Sequence, residues 1–76
     1  MDREFLLDQL GVATGQLLEA QLVIDRQRMR IQMMRDYGQD ARAAESVLAV
    51  LEQSKTLFMS SRDQLETQLA ALKAGS

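Results

Sequence analysis

Apolar residues in the first half of the chain recur in alternating steps of four and three: Leu6, Leu10, Ala13, Leu17, Ala20, Ile24, Ile31 and Met34, with Gln27 in a polar slot. A repeat of 3.5 residues is the signature of a helix that buries one seam against another helix. The second half repeats the rhythm through Ala44, Leu48, Leu51, Phe58, Leu65, Leu69 and Leu72, with Lys55 and Arg62 in charged slots. Between the halves the pattern breaks at Gly38-Gln39-Asp40. Glycine suits the left-handed conformation just past a helix end, and an aspartate can accept hydrogen bonds from the unpaired amides of the next helix. The pattern predicts an all-α chain, one antiparallel two-helix hairpin of coiled-coil type. Helix 1 covers residues 2–37, the turn 38–40 and helix 2 residues 41–73, within a single unit spanning 1–76.

A reversal at residue 39 makes facing seam residues add to about 78, so that Ala13 meets Leu65, Ala20 meets Phe58 and Met34 meets Ala44. Large residues then oppose small ones, as close packing requires. The polar seam residues need partners. Glu52 and Glu66 lie three and four residues from Lys55 and Arg62 on the same helix, within reach of both heads. Together with Gln27, these groups are expected to set register and oligomeric state.

A second apolar stripe runs along helix 1 through Gly11, Gly15, Leu18, Leu22, Met29 and Met33, with Arg26 in its gap, and a shorter one along helix 2 through Ala43, Val47, Val50 and Leu57. Two helices cannot bury both stripes. They predict a homodimer that pairs into a four-helix bundle, with Leu18, Leu22, Met29, Met33, Val47, Val50 and Leu57 at its interface. If that surface stays open, the Met29 and Met33 thioethers suit an adaptor role toward a different protein.

Length sharpens the need for a partner, because a core built from 76 residues supplies only about 3 to 5 kcal/mol. The chain has no Cys and no His, which removes disulfides, thiolate metal sites and the commonest metal ligand, so oligomerisation is the remaining reinforcement. The acidic opening Met1-Asp2-Arg3-Glu4 is unlike a signal peptide, and the charge-free run from Gln9 to Leu18 is half of what a membrane span needs. A cytoplasmic protein without membrane contact is expected.

The net charge of −2 hides an asymmetry: residues 1–25 carry −4 and residues 26–42 carry +3. Arg26, Arg28, Arg30, Arg35 and Arg42 form a basic patch at the turn end, the basis for a third reading as a nucleic-acid-binding regulator. Helical spacing spreads these arginines around the rod, and no aromatic residues interleave with them for base stacking, so nucleic acid is not the expected partner. Catalysis is not expected either. The Asp63–Glu66 pair lacks a shielded pocket on so thin a molecule, and Ser60 and Ser61 have no His to activate them. No cofactor or metal is called for.

The segment from Arg26 to Leu65 carries Arg26-Gln27-Arg28, Gly38-x-Asp40, Ala44, Leu48, Leu51-Glu52-x-Ser54, Leu57 and Arg62-Asp63-x-Leu65. In this it resembles a group of short, uncharacterised proteobacterial proteins that read as helical hairpins. The resemblance implies the hairpin fold and a bacterial source, and it brings no activity or ligand. Members of that group often carry His where this chain has Gln39 and Phe58, and Thr where it has Ala41. Arg26, Arg28, Arg62 and Asp63 are the shared polar residues, with register-fixing salt bridges as their expected role.

Overall fold

A computed structural model describes residues 3–75, and within them every regular element is helical. Helix α1 runs Arg3–Asp36 and helix α2 runs Arg42–Ala74, 34 and 33 residues long. Absence of Pro lets each helix run unbroken, while Glu4 in the first turn of α1 and Arg35 in its last complement the helix dipole. Residue 2, placed at the start of helix 1 by the sequence pattern, lies outside the described residues.

Five residues, 37–41, connect the helices, two more than the sequence pattern assigned. Gly38 takes φ +70°. That conformation lets the Gly38 amide donate to the Arg35 carbonyl at 3.0 Å and the Gln39 amide to the Met34 carbonyl at 2.8 Å, satisfying two carbonyls that the helix end leaves open. Asp40 then organises the start of α2. Its carboxylate accepts the Arg42 amide at 3.0 Å and the Arg42 guanidinium at 2.8 to 3.1 Å, while the Ala41 carbonyl accepts the first intrahelical bond, from Glu45, at 2.8 Å. Of the amides at the start of the helix, Asp40 holds only that of Arg42, because Ala41, which is buried, stands between it and the helix.

The helices pack against one another along their seams. Leu6, Ala13, Ile24 and Ile31 are buried on α1, and Leu10, Leu17, Ala20, Gln27 and Met34 between them are half-buried. On α2 every expected seam residue from Ala44 to Leu69 is half-buried, Lys55 and Arg62 included. Leu72 departs from the expectation: at 39% exposed it lies near the end of α2, where only Leu6 of the opposing seam remains to pack against.

Cross-helix bonds tie the rod. Arg35 pairs with Glu45, Gln27 Nε2 donates to the Ala44 carbonyl at 2.8 Å, Arg28 pairs with Glu52 at 2.9 Å and Lys55 donates to Gln21 Oε1. Lys55 therefore does not use Glu52, its neighbour in sequence. Glu52 is drawn across to Arg28, and the ammonium reaches back to the Gln21 amide oxygen, beside the seam on α1. Arg62 behaves as expected, pairing with Asp63 at 3.0 Å and facing Glu66 at 3.9 Å on its own helix. The molecule measures 60 × 14 × 14 Å between Cα extremes, with a radius of gyration of 17.4 Å against about 11 Å for a compact globule of this length.

Candidate interaction surface

Residues seven apart on a helix differ by nearly two full turns and so share one side. This places Gln16, Val23 and Arg30 in a row on α1, with Tyr37 of the connection beside Arg30, and Val47 and Ser54 in a row on α2. The rows flank the seam on the same side of the rod. A shallow concavity between them is lined by Gln16, Val23, Ser54 and Phe58, and a second by Gln27, Arg30, Ala43 and Val47. Nearer the turn a third is formed by Arg26, Met29, Arg30, Met33 and Tyr37. Just outside these rows lie Glu19, Arg26 and Met33 on α1 and Ala43, Val50 and Leu57 on α2.

The opposite side of the seam has a different chemistry. Arg28–Glu52, Arg35–Glu45 and Lys55–Gln21 bridge the helices there, closing that side with hydrogen-bonded polar groups. None of the cross-helix ion pairs among the described residues lies on the first side. The rod thus has one wall laced by charge pairs and another of Val23, Tyr37, Val47, Val50 and Leu57.

All seven residues that the sequence pattern assigns to an interface are exposed, between 49% and 67%. The structure gathers only some of them. Met29 and Met33 share the turn-end concavity, and Val47 lines the next one, with Arg30 and Met34 common to both. Val50 and Leu57, two turns apart, edge the same wall. Leu18 sits on the other side, in a hollow with Gln21, Lys55 and Met59, and Leu22 lies on the back of α1. Val23 and Tyr37 belong to the wall but escape the stripe pattern. Their seven-residue spacing through Arg30 is the signal that finds them.

The basic patch is divided by its own ion pairs. Arg28, Arg35 and Arg42 hold Glu52, Glu45 and Asp40. Arg26 and Arg30 have no ion-pair partner among the described residues, nor does Glu19. The Arg42 side chain, and after it the Arg42 amide, holds the Asp40 carboxyl below its ordinary pKa, and Asp40 in turn raises that of Arg42. Asp63 and Glu66 stand exposed beside Arg62, and Ser60 and Ser61 are exposed without an activating base. Among the described residues no cluster of three or more acidic side chains is arranged to hold a metal ion, and no helix is long and apolar enough to cross a membrane. Comparison of the chain with protein-family models, curated proteins and solved structures gives no match.

Proposed function

We propose that the chain is an antiparallel, coiled-coil-like helical hairpin that acts as a non-enzymatic protein-interaction module, self-associating as a homodimer in a four-helix bundle. The supporting observation is the apolar wall, which runs from Tyr37 and Val47 near the turn through Val50 and Val23 to Leu57 and which neither helix covers among the described residues. The order of the cross-helix bonds supports the hairpin: Arg35–Glu45, Gln27–Ala44, Arg28–Glu52 and Gln21–Lys55 span 10, 17, 24 and 34 residues, widening steadily from the turn. A cytoplasmic setting and kinship with the proteobacterial hairpin group belong to the same reading.

Size-exclusion chromatography with light scattering tests it. A mass of twice 8.6 kDa that persists from low to high salt is expected, because the wall is mostly uncharged. A monomer at every concentration overturns self-association. The second reading, an adaptor for another protein, draws on the concavity that sets the Met29 and Met33 thioethers between Arg26 and Arg30. A monomeric chain would favour it. Nucleic-acid binding draws less support, since three of the five turn-end arginines are committed to acids.

A further inference from the structure

Resting on the self-association reading, we infer that the occupant of the apolar wall is a second copy turned end for end, its turn directed toward the open end of the first. The charges left on the wall carry the inference. Glu19, Arg26 and Arg30 stand on it or at its edge without ion-pair partners among the described residues, the acid close to the rod's midpoint and Arg30 about 16 Å nearer the turn. A two-fold axis crossing the wall midway between them, level with residues 24 and 25 and about 6 Å on the turn side of mid-length, sets Glu19 of each chain against Arg30 of the other, so facing residues of the two α1 helices have numbers adding to 49. An interface of this kind is isologous, and one ion pair appears twice.

The same rotation can be checked on α2. Residues at one height on the two helices add to about 78, as Arg28–Glu52 and Lys55–Gln21 do within two. The axis that pairs Glu19 with Arg30 therefore makes facing α2 residues add to about 107. Val50 then meets Leu57 of the second copy, and Ser54 lies beside the axis. One register pairs Glu19 with Arg30 on α1 and Val50 with Leu57 on α2, though nothing in the choice of the first pair required the second.

The other two-fold arrangement, with both turns at one end, faces each α1 with α2 of the other copy at equal heights, so Glu19 and Arg30, about 16 Å apart along the rod, cannot meet. Area is sufficient for the inferred pairing. In this register about 48 Å of the two 60 Å rods overlap, which at a width of 14 Å offers about 670 Å² per partner, roughly 1,300 Å² in total and at the low end of stable interfaces.

Absence of cysteine makes the geometry directly testable. Ser54→Cys and Arg42→Cys are each made singly, checked for helicity by circular dichroism, sized by light scattering and then mildly oxidised. Cys at position 54 should form a disulfide-linked dimer, since its partner lies within bonding reach, and Cys at the exposed position 42 should not. In parallel, Glu19→Arg should raise the dimer Kd by roughly tenfold or more, and adding Arg30→Glu should restore it. A dimer in which position 42 cross-links and 54 does not, or in which both or neither do, overturns the end-for-end pairing while leaving self-association standing. An unmodified chain that is monomeric by light scattering overturns both.

Discussion

Single side chains in this rod fall into two groups, and substitution should separate them. Ile24 is 1% exposed at the middle of the seam, so Ile24→Ala should cost about 2 to 5 kcal/mol in urea unfolding. Phe58 is only half-buried beside Ala20 and Val23, and Phe58→Ala should fall at or below the low end of the 3 to 5 kcal/mol usual for that truncation. Glycines divide the same way. Gly38 sits at φ +70°, where a Cβ is strained, so Gly38→Ala should destabilise by about 1 to 2 kcal/mol. At Gly11 and Gly15 an added Cβ meets nothing, and alanine at either should stabilise the helix by up to about 1 kcal/mol, seen as a higher urea midpoint.

Asp40 offers a pH prediction at the same scale. Its carboxyl is held below the ordinary value by Arg42, so the folded state binds that proton less readily than the unfolded state does. The stabilisation is complete above the unfolded pKa and is lost as pH falls through the lower, folded one. Both groups are fully exposed, so the effect is small. An NMR titration should find the Asp40 carboxyl below the ordinary aspartate range, and Arg42→Ala should return it toward that range.

Within each helix, the seam was legible because its 3.5-residue rhythm is a local property of the sequence. Every seam residue from Leu6 to Leu69 is buried or half-buried, and the end of α1 and both limits of α2 each differ from expectation by one residue. Polar partners were not legible in the same way. Glu52 looked suited to Lys55 three residues along, yet the geometry that brings Arg28 alongside exists only once two helices are packed, and Lys55 turned to Gln21. The side of α1 to which Leu18, Leu22 or Val23 belongs also depends on where α2 lies, which one helix's periodicity does not specify. Lys55 invites a substitution at this scale. Lys55→Leu should leave stability unchanged or raised, since Gln21 keeps its bond to Asp25 at 2.8 Å, while loosening the single register of the helices.

Taken whole, the molecule is nearly all surface. Only five described residues are buried, and α2 has none within its span, so stability gained by covering the apolar wall is large relative to what the chain holds alone. If the chain self-associates as proposed, Val50→Glu should lower the dimer mass to that of a monomer and reduce the melting temperature. Leu22→Glu, on the back of α1, should keep both. Light scattering and thermal melts on the two variants distinguish the wall from the helix 1 stripe as the place of assembly.

The ladder of cross-helix bonds also sets an order of events. Closing the 10-residue span between Arg35 and Glu45 confines little chain, and each later rung starts from a loop already shortened by the one before it, so the costly long closures are never made in one step. Folding then proceeds as a zipper from the Gly38 turn, with the Leu6 and Leu69 end joining last. In kinetic terms, Gly38→Ala should slow folding, and Leu69→Ala should chiefly hasten unfolding. A chain synthesised from its N-terminus can begin this zipper only after Glu45 has emerged, holding the whole first seam open until then.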